Sequence, residues 1–156
     1  MSKKRELPES KIDRQNILNN DLAIREIEKA TGFIGIPFEG RFVFLKDQVA
    51  SFLDISPRTV ELYLTNYSEE LRENGYAVLK GKALQSLKET ISKADVTAIH
   101  YGNISKTPQL GIFDFRAFLN LAMLVTESDQ ARLIRKMILD IVIKAGVKPL
   151  ALAMGI

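Results

Sequence analysis

The 156-residue chain contains no cysteine and a single histidine, His100. Without cysteine there is no disulfide framework, no thiolate metal site and no cysteine nucleophile. With one histidine, metal sites built from several histidines and nucleophiles activated by a histidine are disfavoured. A lone histidine in a predicted strand is most often structural or exposed, so we assign His100 no function.

Other absences narrow the class of protein further. No apolar run reaches the roughly 18 residues of a membrane span, and residues 1–6 lack the apolar segment of a secretory signal. The glycines Gly32, Gly35 and Gly40 match no phosphate-binding fingerprint. The acidic pair Glu69-Glu70 lies in a polar turn that we expect to be exposed to solvent, as such runs of charge usually are. We therefore predict a cytoplasmic protein that is not an enzyme, holds no cofactor or metal and meets no membrane.

The most informative stretch spans residues 46–65. Val49, Phe52 and Leu53 share one helical face, and the small side chain of Ala50 beside them would let a second helix cross closely. Asp54 follows where a tight turn needs a positive φ, a conformation that Asp tolerates better than most residues. The pattern predicts a helix that ends at a sharp turn.

A second helix follows directly. Ser56 is a strong N-cap residue, and Pro57 suits the first helical position because it has no N–H to leave unpaired. Val60, Tyr63 and Leu64 then form an inner apolar stripe. Two helices joined in this way predict a helix-turn-helix, which sets its second helix into the major groove of DNA. The alternative, an αα-hairpin without DNA-binding function, is common in globular domains and stays open.

The outward residues of this unit define the candidate DNA contacts. We expect Arg58 to donate to a guanine edge or a phosphate, Thr59 to meet a phosphate or a thymine methyl group, and Glu61 to accept from a cytosine amine. Contacts to the DNA backbone would position the protein without reading sequence. The full set of predicted DNA-binding residues is Lys46, Ser56, Arg58, Thr59, Glu61, Thr65, Asn66, Lys80 and Lys82.

The charge distribution argues against tight DNA binding by a single copy of the chain. The net charge is +3, but residues 41–82 carry six basic and six acidic side chains. Residues 131–156 are more basic, with five basic side chains against Asp140. Because electrostatic affinity scales with the number of phosphates neutralised, we expect DNA binding to need a homodimer or the chain termini.

Apolar patterns outline the N-terminal half. Residues 1–20 are polar, and we predict a frayed or mobile segment there. Residues 21–30 predict a helix that ends at Gly32 and buries four side chains: Leu22, Ile24, Ile27 and Ala30. Strands are predicted at 41–45 and 76–79, a polar turn or short helix at 68–74 and a helix at 82–92. Pairing of the two strands would give a winged helix-turn-helix, so residues 21–92 form the predicted DNA-binding region.

The C-terminal half is predicted as a β-hairpin followed by a helical pair, over residues 93–144. The hairpin joins 96–101 to 109–114, and the helices run over 115–125 and 128–144, the second capped by Ser128. Their predicted apolar face comprises Phe115, Phe118, Leu119, Ala122, Leu133, Met137, Ile138, Ile141 and Val142. Residues 145–156 are predicted to be an apolar tail, and a truncated C-terminus is one interpretation of it. The fold class expected is α+β and mainly helical.

Residues 111–142 carry a further signal, the block GIFDFRAFLNLAMLVTESDQARLIRKMILDIV. This block resembles the RhuM-like family of bacterial DNA-binding proteins, and FLKDQVA (44–50), RTVELYL (58–64) and NGYAVLKG (74–81) are similar to that family too. The resemblance covers about residues 34–143. Antirepressor proteins of phages share the general plan of a DNA-facing part beside such a helical pair.

The resemblance implies a DNA-binding regulator linked to mobile elements or toxin–antitoxin loci. It implies no catalytic residues, and the block from Ser128 to Asp140 is equally well explained by packing between helices. The sequence departs from the family after residue 143. Family members continue there with polar sequence, whereas this chain continues with small apolar residues. A second interpretation therefore stays open, in which the chain is an antitoxin or antirepressor module that binds a toxin or repressor protein without binding DNA itself.

Overall fold

A computed structural model describes residues 6–93 and 104–144. A short 3-10 turn, Leu7–Glu9, precedes eight α-helices in these ranges. The helices are α1 (Lys11–Leu18), α2 (Asp21–Thr31), α3 (Lys46–Leu53), α4 (Pro57–Asn66), α5 (Ser68–Glu73), α6 (Gly81–Lys93), α7 (Phe115–Leu124) and α8 (Asp129–Lys144). The strands are β1 (Ile36–Phe38), β2 (Arg41–Leu45), β3 (Tyr76–Lys80) and β4 (Gln109–Asp114). The fold class is α+β and mainly helical, as predicted.

The chain divides into two compact units. The sheet unit, residues 34–118, contains all four strands and α3 to α6. The helical unit combines residues up to 33 with those from 119 onward. This division differs from the predicted segments 1–20, 21–92 and 93–144, because it joins the N-terminal helices to the C-terminal helical pair and separates both from the helix-turn-helix stretch.

The strands form one antiparallel sheet in the order β1-β2-β4-β3. The predicted pairing of 41–45 with 76–79 is wrong, because β4 lies between these strands: Phe113 faces Phe44 on one side and Tyr76 on the other. The physical reason is burial. Ile112 and Phe113 are both at most 1% exposed, as suits a central strand, whereas every residue of β3 is at least partly exposed.

The predicted hairpin is only partly within the described residues. Its second strand matches β4 at 109–114, but residues 96–101, with His100, lie outside the described ranges. The partners of β4 within the described chain are β2 and β3.

The two faces of the sheet bury different residue types. One face and α6 share a mainly aliphatic cluster with one aromatic member, Phe38: Ile36, Phe38, Val43, Leu45, Leu87, Ile91, Ile104 and Ile112. The opposite face carries aromatic rings, with Phe44 packed 5.6 Å from Phe118 and 5.8 Å from Phe52, measured between ring centroids. Phe44 and Phe118 therefore belong to the core, and this aromatic cluster holds α3 and the start of α7 on the sheet.

In the helical unit, the prediction of a frayed segment over 1–20 is wrong for residues 7–18. Leu7, Ile17 and Leu18 are at most 4% exposed, and Ser10 caps α1 by accepting a hydrogen bond from the Asp13 N–H at 3.3 Å. Arg14 is also buried and donates to the Leu7 carbonyl at 2.8 Å. A few well-spaced apolar residues are enough to bury a helix that is polar on average.

Helix α2 begins and ends as expected but buries a narrower stripe. Asn20 caps its start, and Gly32 closes it with a left-handed φ of 63°. Ile24 and Ile27 are buried, while Leu22 is 55% exposed and Ala30 is also exposed. The prediction is wrong for both residues. Leu22 lies two positions from Ile24 and therefore 200° around the helix, on the opposite side.

Helices α7 and α8 form the predicted pair. Ser128 caps α8 by accepting from the Ala131 N–H at 2.9 Å, which confirms the expected start. Arg135 donates to the carbonyl oxygens of Ala122 and Val125 at the C-terminal end of α7. Leu133, expected on the apolar face, is 60% exposed instead. Across the described ranges, no helix is long and apolar enough to cross a membrane.

Candidate nucleic-acid interface

The turn between α3 and α4 consists of three residues. Asp54 adopts a φ of 51° and ψ of 48°, the left-handed conformation predicted for it, and the Ile55 N–H donates to the Ala50 carbonyl at 3.0 Å. Val49, Ala50, Leu53 and Val60 are each at most 2% exposed. The small side chain at position 50 and the left-handed residue at 54 thus allow α4 to reverse direction and pack closely on α3.

The first turn of α4 is fixed by its own side chains. Ser56 accepts a hydrogen bond from the Thr59 N–H at 3.1 Å, and the two hydroxyl oxygens lie 3.0 Å apart. Pro57 occupies the first helical position, as predicted. Ser56 and Thr59 are therefore brought together, and in the free protein their hydroxyl groups bond to each other.

The outer face of α4 is solvent-exposed. Arg58, Glu61, Thr65 and Asn66 are all exposed there, and Leu62 is 56% exposed. Thr65 uses its hydroxyl proton inside the helix, donating to the Glu61 carbonyl oxygen at 3.0 Å. The inner stripe is less buried than predicted, since Tyr63 and Leu64 are only half-buried. We call the five exposed residues the α4 outer face.

An ion pair links α4 to the start of α3. The Lys46 ammonium group donates a hydrogen bond to the Glu61 carboxylate. This hydrogen bond and the charge of Lys46 hold the pKa of Glu61 below its ordinary value of 4.5, with a smaller contribution from Arg58. Two predicted DNA contacts of opposite charge are therefore engaged with each other in the free protein.

The two remaining predicted contacts lie on other elements. Lys80 ends β3, opposite Gln109 of β4, and Lys82 is the second residue of α6. Both are exposed. They sit at the junction of β3 and α6, whereas the other predicted residues cluster on α3, α4 and the turn.

Tyr76 is a neighbour of this site that the sequence interpretation missed. Its ring lies over Gly111 of the adjacent strand, where a Cβ atom would collide with the Tyr76 hydroxyl group. Burial raises the pKa of Tyr76, and the positive charges of Arg72 and Lys46 partly offset this shift. The sequence carried no local signal for this contact, because Tyr76 and Gly111 are 35 residues apart.

Comparisons with protein-family models, curated proteins and solved structures found no match to this chain. The resemblance to the RhuM-like family therefore rests on the residues of the chain alone. Within residues 6–93 and 104–144, no group of three or more acidic or histidine side chains could hold a metal ion.

Proposed function

We propose that this protein binds duplex DNA by inserting α4 into the major groove. The observation that carries the proposal is the pair of helices joined by a three-residue turn with left-handed Asp54, which buries Val60 and leaves the α4 outer face exposed. The major groove is about 12 Å wide and admits one α-helix. In a helix-turn-helix, residues near the start of the second helix approach the base edges.

Arg58 is the residue that we expect to read a base. It is the second residue of α4, is exposed and can donate two parallel hydrogen bonds to the O6 and N7 atoms of a guanine. Thr59 would meet a phosphate or a thymine methyl group, and Asn66 and Thr65 would meet the DNA backbone. Glu61 would accept from a cytosine amine only after it releases Lys46.

The winged arrangement is part of the same proposal. Strands β3 and β4 are antiparallel and follow the helix pair in the sheet unit. Lys80 ends β3 and Lys82 follows it, so this junction would supply the flanking phosphate contacts. Such contacts position a protein on the duplex without carrying sequence information.

We further propose that the protein is a regulator of the RhuM-like kind, linked to mobile elements or toxin–antitoxin loci. The support for this is the block at 111–142 and the similar segments around α3, α4 and β3. Packing explains part of that block: Ser128 caps α8, Ala131 is buried and Arg135 bonds the end of α7.

Substitution of Arg58 by alanine tests the placement of the reading helix. We expect Arg58→Ala to weaken specific DNA binding by about 1–3 kcal/mol, because a bidentate contact to one base pair is lost. Arg25→Ala, which removes an exposed arginine of α2 in the helical unit, is the matched control for the change in charge. Both affinities are measured by fluorescence anisotropy on a selected duplex. Equal effects of the two substitutions, in folded proteins, would contradict this role of Arg58.

A protein-binding module of the antitoxin or antirepressor type is the second candidate. The balance of six basic and six acidic side chains over 41–82 favours it, as do the exposed apolar side chains Leu22, Leu133 and Ile143 of the helical unit. Co-purification of a toxin or repressor protein, together with no DNA binding at low salt, would favour this function over the first.

A further inference from the structure

We propose that the exposed face of α8 is the surface through which two copies of this chain associate, with their α8 helices antiparallel. The inference rests on four exposed residues: Leu133, Lys136, Asp140 and Ile143. Leu133 and Ile143 are 60% and 67% exposed, which is high for large aliphatic side chains. Isolated exposed leucines are ordinary, so the pattern of the four residues carries the inference.

The four residues lie on one stripe of the helix. At 100° per residue, they fall within an arc of about 80°. The other side of α8 is the core side, where Ala131, Ile134, Ile138 and Val142 are at most 7% exposed. The exposed stripe is therefore the face that α8 directs away from its own core.

Between residues 133 and 143, the stripe is symmetric about residue 138. Leu133 and Ile143 are both five positions from it, and Lys136 and Asp140 are both two positions from it. In an antiparallel pair related by a twofold axis at this level, each residue lies level with the residue of the other copy that is equally far from 138 on its opposite side. Leu133 then meets Ile143 of the second copy, and Lys136 meets Asp140, in both directions.

This arrangement matches opposite charges and apolar groups at once. Two Lys–Asp pairs would form near the axis, and two aliphatic contacts would lie about 7.5 Å to either side of it, given a rise of 1.5 Å per residue. A parallel pairing would instead put Lys136 against Lys136 and Asp140 against Asp140. Charge complementarity therefore selects a second copy of the chain in the antiparallel orientation.

The helix is held firmly enough to present this face. Ser128 caps its first turn, and Arg135 ties its middle to the end of α7. The helix is 16 residues long, or about 24 Å, so a contact made by α8 alone is small. We therefore expect a weak dimer with a dissociation constant of roughly 1–100 µM.

The test is a charge swap measured on the full chain by sedimentation equilibrium, without DNA. We expect the wild-type protein to reach twice the chain mass of 17.5 kDa as its concentration rises. Lys136→Glu and Asp140→Lys should each raise the dissociation constant about tenfold or more, because each change turns two attractive contacts into repulsive ones. The double variant, Lys136→Glu with Asp140→Lys, should restore dimerisation, and an equal mixture of the two single variants should form heterodimers.

Two further variants serve as a control and as a test of the apolar contact. Lys93→Glu reverses the charge of an exposed lysine at the end of α6 and should leave the dissociation constant unchanged. Leu133→Gln alters an exposed side chain, so it should preserve the fold seen by circular dichroism while weakening the dimer.

A wild-type chain that stays monomeric at about 200 µM would overturn the proposal, since weaker association lies beyond the expected range. A dissociation constant that is the same in the wild-type protein and in both single charge variants would also overturn it. So would a folded double variant that does not dimerise. This inference does not rest on DNA binding, so each proposal can fail without the other.

Discussion

Glu61 occupies the middle of the α4 outer face, where the Lys46 ammonium group holds its carboxylate. The folded state therefore favours the ionised form, and the pKa of Glu61 lies below its ordinary value of 4.5. A group whose pKa is lowered by folding stabilises the protein above its unfolded pKa, and this contribution disappears as the pH falls through the folded pKa. Any contribution of the Lys46–Glu61 pair to the stability of the folded state is thus fully present at neutral pH. A DNA phosphate would then compete with Glu61 for Lys46.

Removing the Lys46 side-chain charge should return the pKa of Glu61 toward its ordinary value. We expect Lys46→Met to raise the pKa of Glu61 toward 4.5, because the hydrogen bond from the ammonium group and its positive charge are both lost. The measurement is an NMR titration of the Glu61 side chain between about pH 2 and pH 7. Lys82→Met, which removes an exposed lysine of α6, should leave that pKa unchanged. A titration midpoint of Glu61 that is the same in the wild-type protein and in Lys46→Met would show that the ion pair does not persist in solution.

Some residue-level features were predictable and others were not. The left-handed turn at Asp54, the cap at Ser56 and the proline at Pro57 follow from local chemistry, and all three were predicted correctly. The pairing of Lys46 with Glu61 joins residues 15 positions apart and depends on how α3 crosses α4. Local sequence carries no signal for such a contact, so the sequence interpretation assigned both residues to DNA alone.

Among the elements, the α7–α8 pair depends on Arg135. Its guanidinium group satisfies carbonyl oxygens of Ala122 and Val125, two residues that are fully buried, at an end of α7 that carries partial negative charge. The contact therefore combines a charge-assisted hydrogen bond with the helix dipole, and it fixes where α8 lies against α7.

Loss of this contact should destabilise the protein. We expect Arg135→Met to lower the free energy of unfolding by about 1.5–3 kcal/mol, the range for hydrogen bonds that involve a charged group. Arg132→Met is the matched control. Arg132 is exposed and pairs with exposed Asp129 at 3.3 Å, so its effect should stay within about 0.5 kcal/mol. Urea unfolding of both variants measures the difference. Equal stabilities of the two variants would mean that Arg135 is not needed to hold the pair.

Helices were easier to predict than strand partners. The bounds of α2, α4, α7 and α8 follow from periodicity and from caps such as Ser128. Helix α1 was missed because its mean composition is polar, although Ser10 followed by Ile17 and Leu18 was a usable signal. The sheet order could not be predicted, since β4 joins β2 across more than 60 residues and non-local pairing leaves no local pattern.

At the scale of the whole molecule, charge limits how tightly one copy can hold DNA. The net charge is +3, and the region of the proposed interface carries equal numbers of basic and acidic side chains. With Lys46 neutralised by Glu61, the main cations left among the proposed contacts are Arg58, Lys80 and Lys82. A dimer through α8 would double this set, which connects the two proposals without making either depend on the other.

The most direct test of the central claim is the affinity of the wild-type protein for a random duplex pool, measured by fluorescence anisotropy at several salt concentrations. We predict binding whose logarithmic affinity falls linearly with the logarithm of the salt concentration. On a random pool, where Arg58 meets a phosphate rather than a guanine, about three phosphate contacts per chain give a slope near −2.7, since each contributes about −0.9. Absence of binding even at about 50 mM salt would contradict DNA binding through α4 and favour the protein-binding function instead.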